Sequence, residues 1–526
     1  MNRINLMLHA HQPYVRHLEY EKFLEEDWLY EALNESYIPL LRMLKNLEDD
    51  NVDYHFSICF SPTLISMLED EPLQERFIKY LERHIELGEK EVQRTKTEEK
   101  ECHEMAKVYL KETKLNLELY LGLDRNILKE FKRLSEVGRI ELVASAATHA
   151  FLPLYKDFPG AVNAQIAVGI STHKRVFGKS PKGFWLPECG YYPGLEKLLL
   201  DNGVEWVQLP SQAIISSPDK SLYGGYRPIV IPGGLKAVAR DWNLTNLVWS
   251  DKTGYPCDPD YREFYRDIGY YLPMEYVRPY MHEPSLRVFT GYKYYSITGN
   301  TEEKVYYSPK KAQEKVALHV DNFLYNIRKK GKLLDAYGIG NHVFNLFFDA
   351  ELFGHRWYEG LSWLEKVIRA LAEDKNNYSM VSASSVVEED EDLDEIRINE
   401  TSWGPRGGAD TWLDSSNAWI YRHTIKAIER MQELTERFPD QGSLKGRFLN
   451  QASRELLLAM ASDWPCIIHD KTSSSYAEKR ICNHLGSFNV VHSSMCRNTV
   501  NTEWLIKAEK RNALFPDMDY RYFEKK

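Results

Sequence analysis

Two acids stand where short apolar runs give way to polar, glycine-rich segments. In FNLFFDAELFGHRWYEG (344–360), a strand-like run ends in Asp349, with Glu351 and His355 close behind. In KGFWLPECGYYPG (182–194), a strand at 183–186 delivers Glu188 into a loop that carries Pro187, Gly190 and Pro193 beside Trp185, Tyr191 and Tyr192. Acids at the ends of buried strands mark the catalytic face of an α/β barrel. Two carboxyls between aromatic walls suit glycoside cleavage, in which one attacks the anomeric carbon and the other protonates the leaving oxygen. A retaining pair sits about 5–5.5 Å apart. Asp349 is the expected proton donor, because an apolar strand end and a nearby acid both raise a carboxyl pKa. Glu188 is the nucleophile candidate, and a turn or helix-capping glutamate is its plainer alternative.

Histidines recur at other strand ends. HAHQPYVRH follows a strand at 4–8 and sets His9 and His11 on one side of an extended chain. His149 follows a strand at 140–144 in GRIELVASAATHAFLP, and Arg240 ends a β-hairpin at 226–239. Beside a carboxyl pair, these groups would hold sugar hydroxyls or orient the carboxylates. With Asp349, the three histidines could instead form the metal site of a polysaccharide deacetylase-like hydrolase. That reading leaves Glu188 without a role.

The elements that must position these residues alternate. Helical periodicity at 28–47 precedes a strand at 54–60, and a charged helix at 73–94 leads into a helical stretch at 98–134. The missing strand there breaks the alternation and predicts an inserted helical subdomain at about 73–136. A helix at 161–177, a strand at 204–209, and helices at 310–336 and 360–373 continue the pattern. The Tyr-, Pro- and Gly-rich stretch 249–295 reads as a substrate-facing loop region. A last strand is expected at 380–382, and the acidic run EEDEDLDE (388–395) reads as a solvated face or linker. SWGPRGGADTW then carries Trp403 and Trp412, and 417–438, 451–462 and 472 onward are helical by pattern, broken at Asp463 and Trp464. The expected division is a catalytic unit at 1–395 and a helical domain at 396–526 that contributes to the substrate cleft.

Composition narrows the function. At 526 residues the chain exceeds one ordinary domain. A formal charge of −10 argues against a nucleic-acid partner, which requires concentrated Lys and Arg. No apolar run approaches the roughly 18 residues of a membrane span. Seven cysteines without a CxxC pair indicate neither a disulfide framework nor a zinc knuckle. The first residues run directly into a strand pattern without a signal-type apolar region. A cytoplasmic enzyme is expected.

Together HAHQP, GRIELVASAATHAFLP, WLPECGYYPG, FFDAELFGHRWYEG, SWG and the late SDW closely resemble the signature segments of glycoside hydrolase family 57. The likeness, to its α-1,4-glucan branching enzymes and amylase-like members, covers nearly the whole chain. It implies an incomplete (β/α)7 barrel with an inserted helical subdomain and a C-terminal all-helical domain. It also implies a retaining mechanism on α-glucan without metal or other cofactor, with Glu188 as nucleophile and Asp349 as acid/base. His11 and His149 match substrate-site histidines, and Trp28, Trp403, Trp412 and Asp463 match acceptor or glucan contacts. Tyr223 and Tyr226 lie in a loop of the expected kind. Glu351 and His355 are then a supporting shell that orients Asp349 and its loop. One departure stands out: Pro210 and Gln212 occupy positions where relatives carry Asp-x-His. The implied activity is branching through α-1,6 bonds. α-Amylase action and 4-α-glucanotransfer are alternatives within the family, and the departure raises a weakly active glucan-binding protein.

Overall fold

The computed structural model describes residues 1–525 apart from 251, 284, 285, 300, 302, 391, 392 and 441. Its strands are β1 (Asn2–Ala10), β2 (Phe56–Phe60), β3 (Ile140–Ser145), β4 (Gly183–Trp185), β5 (Trp206–Leu209), β6 (Ile229–Ile231), β7 (Leu235–Ala239), β8 (Val343–Asp349), β9 (Tyr378–Met380) and β10 (Asp394–Glu395). They form one sheet in the order β10-β6-β7-β5-β4-β3-β2-β1-β8, with β9 beside β1. Neighbours are parallel except for the β6–β7 hairpin. The sheet curls so far that the chain after β7 meets β8. The Asp241 N–H donates to the Asn345 carbonyl at 2.8 Å, and Asn345 Nδ2 donates to the Ala239 carbonyl at 2.9 Å.

Period-two alternation sorts the strand side chains. In β1, Ile4, Leu6, Leu8 and Ala10 join the main core, whereas Met7 clusters with Cys59, Val143, Trp185, Trp206, Val238 and Phe347. This second cluster fills the concave side. Beneath it lies a polar layer in which Asn5 bonds Asn345 and Ser57 bonds Glu141, at 2.9 Å each. Helix Ala383–Glu389 seals that end, with Ser384 bonded to both Glu141 and Trp206. Above the cluster, parallel register sets His9 opposite Asp349.

The helices Glu71–Thr97 and His103–Gly122 pack on each other as the helical stretch expected after β2. The C-terminal region is built from helices Trp419–Arg437, Ser443–Ala459, Asp463–Asp470, Ser474–Arg497 and Thr502–Arg511. Among the described residues, no helix is long and apolar enough to cross a membrane.

Three expectations are corrected. The last strand is Tyr378–Met380, and Ser382 instead caps helix Ala383–Glu389 by accepting from the Ser385 N–H. The acidic run is solvated only in part: Glu388, Glu389 and Glu395 are exposed as expected, but Asp390 is buried against Arg3 and Arg227 (3.1 and 3.5 Å), and Asp394–Glu395 pair with β6. Residues 391 and 392 of that run lie outside the described residues. The helical pattern does break here, but at 460–462, so that Asp463 and Trp464 start the next helix, and the helix before the break begins at Ser443 rather than 451.

Gly183 starts β4 where a Cβ would lie 2.1 Å from the fully buried Trp206 ring. Gly183→Ala should therefore cost about 3 kcal/mol, near the top of the range for overpacking a core. Chemical denaturation of the two proteins checks it; equal midpoints would contradict this packing.

Candidate active site

A cavity of about 1140 Å³ opens over the C-terminal ends of β1, β3, β4 and β8, and its wall includes His9, His11, His149, Glu188, Asp349 and Glu351. The two candidate acids are linked through stacked imidazoles. His9 Nδ1 lies 3.5 Å from Asp349 Oδ1, and His149 Nδ1 lies 3.7 Å from Glu188 Oε1. The His9 and His149 rings stack at 4.9 Å, His11 lies on His149 at 4.0 Å, and Trp185 backs His9 at 4.6 Å. The rings meet face to face, so their nitrogens do not converge. Among the described residues no group of three or more His, Cys, Asp or Glu is arranged to hold a metal ion.

Glu188, Cys189 and His149 adopt left-handed backbone, with φ of 58°, 51° and 56°. Each costs about 1–3 kcal/mol and persists only where surroundings over-determine it. Here the C-terminal part of the chain does so. The Trp403 N–H donates to the Glu188 carbonyl at 3.0 Å, and the Ser462 N–H donates to the His149 carbonyl at 3.1 Å. Two-residue bridges, Tyr191 with Thr401 and Ala150 with Ala461, flank these bonds. From inside the sheet, the Gln208 amide accepts from the Leu186 N–H and donates to its carbonyl, both at 2.9 Å.

The same segments reach the carboxylate. Trp403 Nε1 donates to Glu188 Oε2 at 2.7 Å, and Ser462 Oγ donates to Oε1 at 3.2 Å. Burial nevertheless pushes Glu188 up to about 7, helped by the charges of Asp349 and Asp463 and opposed by the Trp403 bond. Burial likewise lifts Asp349 to about 6, against the pull of His11, Arg240 and Arg356. Near neutral pH the cluster therefore retains a share of one proton, the requirement for an acid step. That order, with Glu188 above Asp349, is the reverse of the assigned roles. The two donors aimed at Glu188 oppose this by stabilising its anion. Burial and His11 hold His149 well below the usual histidine range, and burial does the same for His9. Burial opposes charge on His11 too, but Asp463, bonded to its Nε2 at 2.9 Å, outweighs it and raises that pKa.

The remaining expected residues divide. Glu351 lines the cavity, accepts from the His11 N–H at 3.0 Å and from the Tyr37 hydroxyl, and rises to about 7 through burial and the Asp349 charge. Trp403 lines the cavity, and Asp463 reaches it through His11. His355 turns to Glu35 at 2.6 Å, tying its loop to the π-helical turn Leu33–Tyr37. Arg240 sits behind Trp403, 5.8 Å from its ring, with Nε on Thr245. Trp412 is buried under Phe151 at 4.4 Å, Trp28 lies edge-on to Tyr476, and Tyr223 lies under the Arg227 guanidinium at 4.3 Å. None of these last five forms the cavity wall. Pro210 precedes the short helix Ser211–Ile215, and Gln212 packs beneath Gly407. Sequence reading passed over Ser462, although it sits in the SDW segment, and over Tyr37 and Gln208, whose polar groups carried no local signal. The stretch 249–295 does reach the cavity, through Trp249, Phe264 and Tyr265 among others.

The glycosyl hydrolase family 57 model matches residues 5–399. The chain belongs to that family. A second model, the C-terminal region of 1,4-alpha-glucan branching enzymes, matches residues 423–523. A 1,4-alpha-glucan branching enzyme of Thermococcus kodakarensis is 31% identical over 96% of this chain and 75% of its own. The crystal structure of a family 57 branching enzyme from that archaeon superposes with a TM-score of 0.87 at 29% identity, covering 99% of this chain and 96% of the other. The α-amylase AmyC of Thermotoga maritima superposes with a TM-score of 0.93 at 40% identity, covering 100% and 99%. The family 57 match spans every residue of the cavity described above as far as the Trp403 loop edge at 399; Trp403, Ser462 and Asp463 come from beyond it.

Two outcomes test this electrostatic arrangement. Trp403→Phe removes a donor that lowers the Glu188 pKa, so the acidic limb of kcat/KM should move to higher pH and the rate should fall about 10- to 100-fold, as for loss of a charge-assisted hydrogen bond. An unmoved limb would contradict the assignment. Glu351→Gln removes a carboxyl whose folded pKa is raised. Its stabilising protonation is complete below about 4.5 and lost as pH rises through about 7. The Tm difference, variant minus parent, should therefore be more favourable to the variant at pH 8 than at pH 5.

Proposed function

We propose that the chain is a retaining 1,4-α-glucan branching enzyme. The observation that carries this reading is the branching-enzyme match at 423–523, the region flanking and following the Ser462 and Asp463 contacts to the cavity. The named branching enzymes that align along nearly the whole chain support it. In this reading Asp349 gives its proton to the glycosidic oxygen while a Glu188 oxygen attacks the anomeric carbon. The α-1,4 bond breaks and a glucosyl ester forms on Glu188. Asp349, now a carboxylate, takes the proton from the 6-hydroxyl of a second glucan as that oxygen displaces Glu188 and creates an α-1,6 bond. Retention follows from two displacements. His9 and His149, each with a buried Nε2 that has no partner among the described residues, are the groups for sugar hydroxyls.

The curled sheet is read as an incomplete (β/α)7 barrel at 1–395 with a helical insertion at about 73–136, and 396–526 as a helical domain that completes the cleft. Trp28 and Tyr223 would meet glucan outside the central cavity, Trp412 would act by backing Phe151, and Arg240 and His355 would act by holding Trp403 and the loop after Asp349. A cytoplasmic setting fits Cys59, Cys102 and Cys189, which are buried free thiols.

Hydrolysis of α-1,4-glucan is the second reading, favoured by the 40% identity to a protein named as an α-amylase. The two differ only in whether water or a 6-hydroxyl reaches the Glu188 ester. Proton NMR of amylose digests separates them. Branching predicts new α-1,6 anomeric signals with few new reducing ends, and Asp349→Asn should lower that rate about 10²- to 10⁴-fold, the usual worth of a general acid. Reducing ends alone would establish the hydrolase. Glucan binding with no linkage change would leave a weakly active binding protein, with the Pro210 and Gln212 departure as its cause.

A further inference from the structure

The segment after β1 that carries His11 into the catalytic cavity ends, at His17, on a second and separate cavity. This one measures about 80 Å³ and lies against helix Ser474–Arg497. Its wall includes His17, Lys479, Arg480, His484, Arg511 and Asn512. Arg480, His484 and Asn512 are only 4%, 1% and 2% exposed. Each keeps one polar atom without a hydrogen-bond partner among the described residues: Arg480 Nε, His484 Nε2 and Asn512 Oδ1. Orphaned polar atoms this deeply buried are costly, and three around one cavity point to a ligand.

The committed atoms define what that ligand must offer. His484 Nδ1 bonds Glu455 Oε2 at 2.7 Å, and Asn512 Nδ2 donates to Glu455 Oε1 at 2.8 Å. The His484 bond holds the Glu455 carboxyl low despite its burial, so Glu455 is an anion and Nδ1 carries the proton. Neutral His484 then presents Nε2 as an acceptor, and Asn512 presents its carbonyl oxygen. Glu455 has both oxygens occupied, Gln451 also donating to Oε1. Arg480 Nε–H is a buried donor, and Lys479 and Arg511 stand exposed at the rim, where Glu19 is the opposing charge. The cavity thus combines cationic donors with two acceptors. The volume suits about two or three waters at roughly 30 Å³ each, or one tetrahedral oxyanion. Sulfate can only accept hydrogen bonds. Hydrogen phosphate accepts from the cations and donates its P–OH to Asn512 or His484.

We propose that this is a binding site for hydrogen phosphate, free or as the phosphate group of a sugar ester, and that its occupancy is felt at the catalytic cavity. The connection is covalent and short. Arg480 donates to the Tyr14 carbonyl at 3.0 Å, and the Tyr476 hydroxyl bonds His17 Nε2 at 2.8 Å. Both contacts grip the segment whose other end supplies His11 and Gln12 to the catalytic wall.

The binding test uses the full chain in phosphate-free buffer at constant ionic strength and does not depend on branching. Inorganic phosphate should raise Tm in a saturable way, and sulfate should not. Lys479→Glu, an exposed rim change, should weaken phosphate binding about tenfold by calorimetry through reversed local charge. Glucose 1-phosphate competing with phosphate would extend the site to sugar esters, whereas binding of phosphate alone would restrict it to the free ion. Equal effects of phosphate and sulfate, or no saturation with either, would overturn the site. Saturating phosphate should also shift kcat/KM on amylose about fivefold, a modest coupling, and Lys479→Glu should need about tenfold more phosphate for the same shift. Binding without that shift would overturn the coupling.

Discussion

The backbone clamp between the C-terminal region and two strand ends is the constraint on which the site depends. Glu188 and His149 are held in left-handed conformations that neither residue favours, and the N–H groups of Trp403 and Ser462 fix their carbonyls. These donors lie 215 and 313 residues away in sequence. The side chains of the same two residues then bond the Glu188 carboxylate. Geometry and charge are therefore set together. Any motion that lifts the C-terminal region away would relax the strained turns and remove the donors in one step.

Burial does the rest of the electrostatic work. Three carboxyls, Glu188, Asp349 and Glu351, are all lifted toward neutrality, and Asp463 raises the His11 pKa against the effect of its burial. Low-polarity surroundings make each remaining hydrogen bond decisive in choosing which acid keeps the proton. The stacked His9 and His149 stay neutral between the two acids and remain available to hydroxyl groups.

Much of this was legible in the sequence. Short apolar runs that give way to Asp349, Glu188, His149 and His9 located the strands and the face they deliver to, because ionisable groups massed at buried strand ends mark the functional face of an α/β barrel. Parallel register then brought His9 to Asp349. What stayed hidden was whatever depends on a partner far along the chain. Within the acidic run Asp390 looked as solvated as its exposed neighbours because Arg3 and Arg227, which pair with it, are more than 160 residues away. Trp412 matches a glucan-contact position by resemblance, yet it is buried under Phe151, a partner that its local sequence does not reveal. The helix break expected at Asp463 and Trp464 lies at 460–462, and the two residues open the next helix, with Trp464 Nε1 donating back across the break to the Leu458 carbonyl at 2.7 Å.

The central claim is that Glu188 forms a covalent glucosyl ester while Asp349 manages the proton. Asp349→Asn treated with α-glucosyl fluoride tests it most directly, since an activated leaving group needs no acid for the first displacement but the second still needs a base. Intact-mass spectrometry should show the protein heavier by one glucosyl unit, and peptide mapping should put that unit on Glu188. No adduct, or an adduct on Glu351 or any other residue, would contradict the account.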